Sequence, residues 1–156
     1  MNWREETIPK MNKETQIKNF IKSELMNYYF YLEKISEYQD IVEHYEDLQD
    51  DPSIGGSLIK LSKSSHSNLS PQKRLTYDKM VAESNLRYYK NKLDTLDSWM
   101  NVLTESLHNV VKVYVMKYQC EKLHEASFQL GYEEDTVNKY TKRAIDRIYG
   151  KIRKFA

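Results

Sequence analysis

The sequence predicts an all-α fold for this chain of 156 residues. Three observations carry that expectation. Apolar residues recur at spacings of three and four through two long segments, which is the period of one helix face. Glycine and proline number only four and three, leaving little material for β-turns or phosphate-cradling loops. Two of those glycines and two of those prolines fall together in residues 51–71, so the flanking segments are nearly free of breakers. The length allows one domain with a sizeable core, or two small ones sharing a helix.

The first helical segment is expected over about residues 13–49. Ile17, Ile21, Leu25, Tyr28, Leu32, Ile35 and Val42 form its stripe. Asp50-Asp51-Pro52 ends it, because proline disfavours the helical state for the residue before it. Residues 51–71 carry Gly55-Gly56 and many serines without a lasting period, and read as a flexible loop. A second segment opens with Ser70 as N-cap and Pro71 at the first helical position. Leu75, Ala82, Leu86, Tyr89, Leu93, Leu96, Met100 and Leu103 follow at alternating four- and three-residue steps, with only Lys79 out of place. Such a repeat is the seam of coiled-coil packing. Residues 1–102 are therefore expected to form a long helical hairpin, or to associate between subunits.

After Leu103 the rhythm shortens. Thr104 can cap a helix containing Glu105, and Leu107, Val110, Val111, Tyr114 and Tyr118 continue an apolar face to about residue 119. A short amphipathic piece over 121–130 closes on Gly131, the residue suited to a left-handed position just past a helix. The last helix begins near Glu133 and carries Val137, Tyr140, Ala144, Ile145 and Ile148. Three helices with a tight glycine turn before the last spell a helix-turn-helix unit over 103–156. Such a unit needs a small residue where its helices cross, here Ala126. It also needs apolar anchors, here Leu123, Leu130, Val137 and Tyr140. Its last helix offers polar side chains to a DNA major groove while flanking cations hold phosphates.

Charge is distributed to match. Residues 1–50 hold 6 basic and 11 acidic side chains, whereas residues 103–156 hold 10 and 7. From residue 138 to the end, Lys139, Lys142, Arg143, Arg147, Lys151, Arg153 and Lys154 face the single acid Asp146. Polyanion binding is expected at this basic end.

The run from Leu130 to Ile145 resembles region 4 of sigma-70-type factors, matching at Leu130, Gly131, Val137, Tyr140, Arg143, Ala144 and Ile145. Leu103-Thr104-Glu105 followed by Val110-Val111 is similar to the helix that precedes it there. A long helical part ahead of such a unit also resembles phage late transcription activators of the RinA and ArpU type. The resemblance implies a sequence-specific regulator that binds double-stranded DNA in a bacterial host cytoplasm, with RNA polymerase as a further partner. Carried over onto this chain, the outward positions of the last helix are Glu134, Asp135, Thr136, Asn138, Lys139, Thr141 and Lys142. Arg143, Arg147, Lys151, Arg153 and Lys154 then supply affinity.

Two features cut across that pattern. Glu133-Glu134-Asp135 opens the last helix where the family places cations. These acids stabilise the positive helix end, and one of them can also accept from cytosine N4. Arg143 has two roles open to it, a phosphate contact or a pair with Glu125 on the preceding helix.

Enzymatic chemistry finds little support in the residues. His44, His66, His108 and His124 are scattered, and no phosphate-binding or nucleophile-elbow motif is present. Cys120 and His124 share a four-residue spacing, but two ligands do not make a zinc site, and no cofactor or metal is expected. One cysteine excludes a disulfide framework and fits a reducing compartment. No apolar run approaches the roughly 20 residues needed to cross a bilayer, and the charged N-terminus lacks a secretory apolar core. Tyr28, Tyr29, Tyr31, Tyr88 and Tyr89 at helical spacing are expected as core or rim. Helix-turn-helix proteins present two copies to paired half-sites, so a homo-oligomer, favoured as a dimer, is expected. Two alternatives remain open: a small terminase-like DNA-packaging subunit, and a protein–protein module that no longer binds DNA.

Overall fold

The computed structural model describes residues 12–50 and 70–154. The loop expected at 51–71 lies outside them, apart from Ser70 and Pro71. Every regular element among the described residues is helical: α1 (Lys13–Met26), α2 (Tyr28–Asp50), α3 (Pro71–Met100), α4 (Glu105–Val110) with a π-helical continuation (Val111–Lys117), α5 (Leu123–Leu130) and α6 (Glu134–Arg153). The all-α expectation holds. Ser70 begins α3 as the spacing predicts, its Oγ accepting from the Lys73 N–H at 3.2 Å.

The division of the chain differs from the expected boundary at 102/103. One compact unit runs from Phe30 to Asp94, and the other joins the chain up to Tyr29 with the chain from Thr95 onward. The cause is local. The first helical segment is broken at Asn27, whose N–H donates to the carbonyls of Glu24 and Leu25 at φ −90° and ψ 6°. Asparagine favours such closures over helix continuation. The break also shifts the buried face, so Leu32 is exposed and Tyr31 is buried instead.

In the Phe30–Asp94 unit, α2 and α3 run antiparallel. Lys79 donates to Gln49 at 3.1 Å and lies 3.8 Å from Glu46, while Tyr38 stacks on Tyr89 with ring centroids 5.8 Å apart. As one partner number rises the other falls, which is antiparallel order. Tyr31, Val42, Leu75 and Ala82 are its buried residues. Lys79, the irregular seam position, is satisfied because its ammonium reaches Glu46 and Gln49 of α2.

In the other unit the most deeply buried residues are aliphatic. Ile21 and Leu25 of α1, Leu96 of α3, Val110, Val111 and Val115, and Ala126, Val137, Ala144 and Ile148 are all at most 1% exposed. Helix α4 passes into the π-helical stretch at Val111, where the β-branched residues Val110, Val111, Val113 and Val115 crowd a regular α turn. The wider turn brings the consecutive residues Tyr114, Val115 and Met116 all to the inner side. The chain leaves it through two left-handed residues, Gln119 at φ 52° and Cys120 at φ 61°. Each costs about 1–2 kcal/mol. Three hydrogen bonds hold them: Cys120 N–H to Tyr114 O at 2.9 Å, Tyr114 Oη to Cys120 O at 3.1 Å and Gln119 Nε2 to Met26 O at 3.4 Å. The apolar face expected to reach residue 119 therefore ends in this exit, two residues short.

Candidate nucleic-acid interface

Helices α5 and α6 are joined by a tight turn at Gly131. Ala126, Val137 and Ala144 are fully buried. Gly131 takes φ 74° and ψ 20°, and its N–H closes α5 on Ser127 O at 2.9 Å. The Ser127 hydroxyl donates to Tyr132 O across the same turn. Tyr132 then meets Tyr140 edge to face at 5.4 Å, tying the turn to α6. Nothing lies within 4 Å of where a Gly131 Cβ would stand, so only the backbone angle opposes a side chain there. Gly131→Ala is therefore expected to cost about 1–2 kcal/mol, read as a lowered denaturation midpoint.

Along α6, the inner face is Val137, Thr141, Ala144, Ile145 and Ile148. Glu134, Asp135, Asn138, Lys139, Lys142, Arg143, Arg147, Arg153 and Lys154 are exposed, and Thr136 is half-buried. Two assigned positions depart from the expected outward face. Thr141 is only 6% exposed and its hydroxyl donates back to Val137 O at 2.8 Å. It lies one turn beyond Val137 and so faces the core. Lys151 is half-buried, its ammonium donating to both the carbonyl and the hydroxyl of Ser98 at 2.8 Å. That lysine is a strut inside the fold.

The outward face of α6 is a ridge with a groove on each side. On one side lies α1, unforeseen in this position. Its Lys18 bonds Asp146 at 2.8 Å and Glu14 at 2.9 Å, and it stands 5.3 Å over the Tyr149 ring. The Asp146 bond, then the Glu14 bond, raises the Lys18 pKa, so the ammonium stays charged. The one acid of the basic end is thereby paired with a lysine far away in sequence, which it shares with Glu14. The groove between α1 and α6, about 400 Å³, is lined by Lys22, Asn138 and Lys142 among others. On the other side, Arg143 and Arg147 border a second groove against the start of α4. Arg143 lies 5.7 Å over the Tyr140 ring, and no ion pair joins it to Glu125 among the described residues. At the tip, Glu134 Oε1 sits 3.3 Å from His124 Nδ1, while Asp135 is exposed.

Cys120 does not share a helix face with His124, because it lies in the left-handed exit before α5. Burial pushes its thiol above the ordinary range, outweighing the opposing pull of Lys22. At mildly alkaline pH the folded thiol is therefore expected to alkylate more slowly than the same thiol in denaturant. Equal rates would contradict the packing around it. No group of three His, Cys, Asp or Glu stands ready for a metal among the described residues. No helix among them is long and apolar enough to cross a membrane.

Sequence reasoning missed Lys18 and Lys22 as neighbours of α6. The one cue in the sequence is a change of composition, the aliphatic residues Ile17, Ile21 and Leu25 giving way after Asn27 to a tyrosine-based stripe, and it does not name α6 as the partner. In comparisons with known proteins, no family model, no curated protein and no solved structure matched the chain.

Proposed function

We propose that this protein binds double-stranded DNA sequence-specifically and acts as a transcriptional regulator of phage type, with the ridge of α6 entering the major groove. The observation that carries the proposal is the exposed ridge itself, with Lys139 and Lys142 outward and cations in the groove on each side. A helix with its side chains is about 10–12 Å across, and the B-DNA major groove is about 12 Å wide. Phosphates of the two strands would then lie over the flanking grooves. Lys18 supports this reading by engaging one carboxylate oxygen of Asp146 beside the ridge. The antiparallel pair within Phe30–Asp94 is assigned to self-association as a dimer, or to a contact with RNA polymerase.

The test is duplex binding followed against salt. Each neutralised phosphate contributes a slope of about −0.9 in log affinity against log salt. With four phosphates held, affinity falls about 100-fold between 50 and 200 mM salt. A flat profile would refute the proposal.

The acidic tip favours a second reading. Exposed Asp135, with Glu134 held beside His124, suits a basic protein partner better than a phosphate backbone. Under that reading the unit is a protein–protein module, and it binds no duplex at any salt concentration.

A further inference from the structure

A groove of about 450 Å³ lies between α6 and the start of α4. One wall is Arg143 and Arg147, a single helical turn apart. Thr104 and Ser106 face them, and Leu107 and Tyr140 supply the apolar part of the lining. Among the described residues neither arginine is in an ion pair, and neither hydroxyl has a hydrogen-bond partner. Thr104 stands at the N-cap of α4 without making a side-chain capping bond. Asp146 is the one acid in the lining, and its Oδ1 is already bonded to Lys18 at 2.8 Å. The Tyr140 ring beneath Arg143 restrains the guanidinium and lowers the cost of ordering it.

We propose that this groove is a phosphate-binding site, held by the guanidiniums of Arg143 and Arg147 and the hydroxyls of Thr104 and Ser106. A carboxylate is planar and is satisfied from one side by a guanidinium. The oxygens of a phosphate diverge tetrahedrally, so they can take donors from two facing walls at once. Resting on the reading of α6 above, the phosphate is a backbone phosphodiester beside the base pairs that the ridge faces. Thr104 and Ser106 then make α4 part of the interface, fixing the angle at which α6 enters the groove.

The experiment follows the arginine Nε–Hε resonances of the full chain by NMR. Inorganic phosphate is titrated at constant ionic strength against chloride, and a mixed-sequence duplex is titrated separately. R143Q/R147Q and T104A/S106A are the variants, and their melting temperatures report folding. Saturable shifts of both arginines with inorganic phosphate, weakened in each variant, are expected. Duplex binding by R143Q/R147Q should show a salt slope shallower by about one for each phosphate no longer held. If the wild type binds duplex with the arginine resonances unmoved and the slope is unchanged in the variants, the groove proposal is overturned while the α6 reading survives. If no duplex binds but inorganic phosphate still saturates, the groove stands as a site for a free phosphate ligand and the DNA reading falls. If neither probe moves the two resonances, the groove proposal is overturned.

Discussion

Reversing the charge of Lys139 and Lys142 together, as K139E/K142E, is expected to weaken duplex binding by about 100-fold or more at low salt. Both side chains are exposed on the α6 ridge. A charge-assisted hydrogen bond contributes about 1.5–3 kcal/mol. Removing two forfeits about 3–6 kcal/mol before the new repulsion is counted, and about 1.4 kcal/mol is tenfold. The melting temperature should stay close to that of the wild type, because exposed substitutions usually change stability by less than about 0.5 kcal/mol. Weaker binding with unchanged melting separates a role at the DNA surface from a structural one. Wild-type affinity in the double variant would move DNA off this ridge.

The largest expected effect on stability comes from Ile148→Ala. Ile148 is fully buried on the inner face of α6, in the unit that also holds the fully buried Ile21 and Leu25 of α1. Truncating a buried isoleucine costs about 2–5 kcal/mol through forfeited transfer energy and the cavity left behind. A drop in melting temperature on the order of 10 °C follows, read by far-UV circular dichroism. Phe128→Ala is the contrast. That ring is 88% exposed on α5, so its removal should leave melting nearly unchanged. Similar destabilisation by both substitutions would contradict the assignment of the core.

These expectations rest on parts of the fold with different degrees of legibility in the sequence. The skeleton of α5 and α6 is readable because each position answers a steric demand. Ala126 is small enough to be fully buried, Gly131 takes the left-handed angle, and Val137 and Ala144 keep the inner face small. Thr141 misleads because a threonine looks polar in sequence, yet its hydroxyl is satisfied by the carbonyl four residues back and its methyl can then be buried. Lys151 misleads for a related reason, since Ser98, the group that holds it, is 53 residues away. The position of α1 is not legible, because an amphipathic stripe does not name its partner. Only a marked composition change at Asn27 hints that Ile21 and Leu25 belong with a different core from Tyr31 and Val42. The π-helical turn has a local cue in its valines, but its lining of consecutive inward residues follows from the wider turn alone.

The acidic tip and the ridge acid carry opposite lessons. Asp146 looks in sequence like a minor interruption of a basic run, and it bonds Lys18 of α1, which also stands over the Tyr149 ring of α6. Glu133 sits at the N-cap without a side-chain capping bond, so its carboxylate acts there only as charge near the helix start. Glu134 is paired with exposed His124 and Asp135 is exposed, which leaves the tip the most electronegative part of the ridge.

Entry of the α6 ridge into the major groove is tested most directly by chemical protection on a duplex recovered by selection from a randomised pool at near-physiological salt. Guanine N7 lies in the major groove and adenine N3 in the minor groove, and dimethyl sulfate methylates both. The predicted result is a recovered motif whose guanine N7 positions are shielded by the wild-type protein and not by K139E/K142E. Recovery of no motif, or shielding confined to adenine N3, would contradict it.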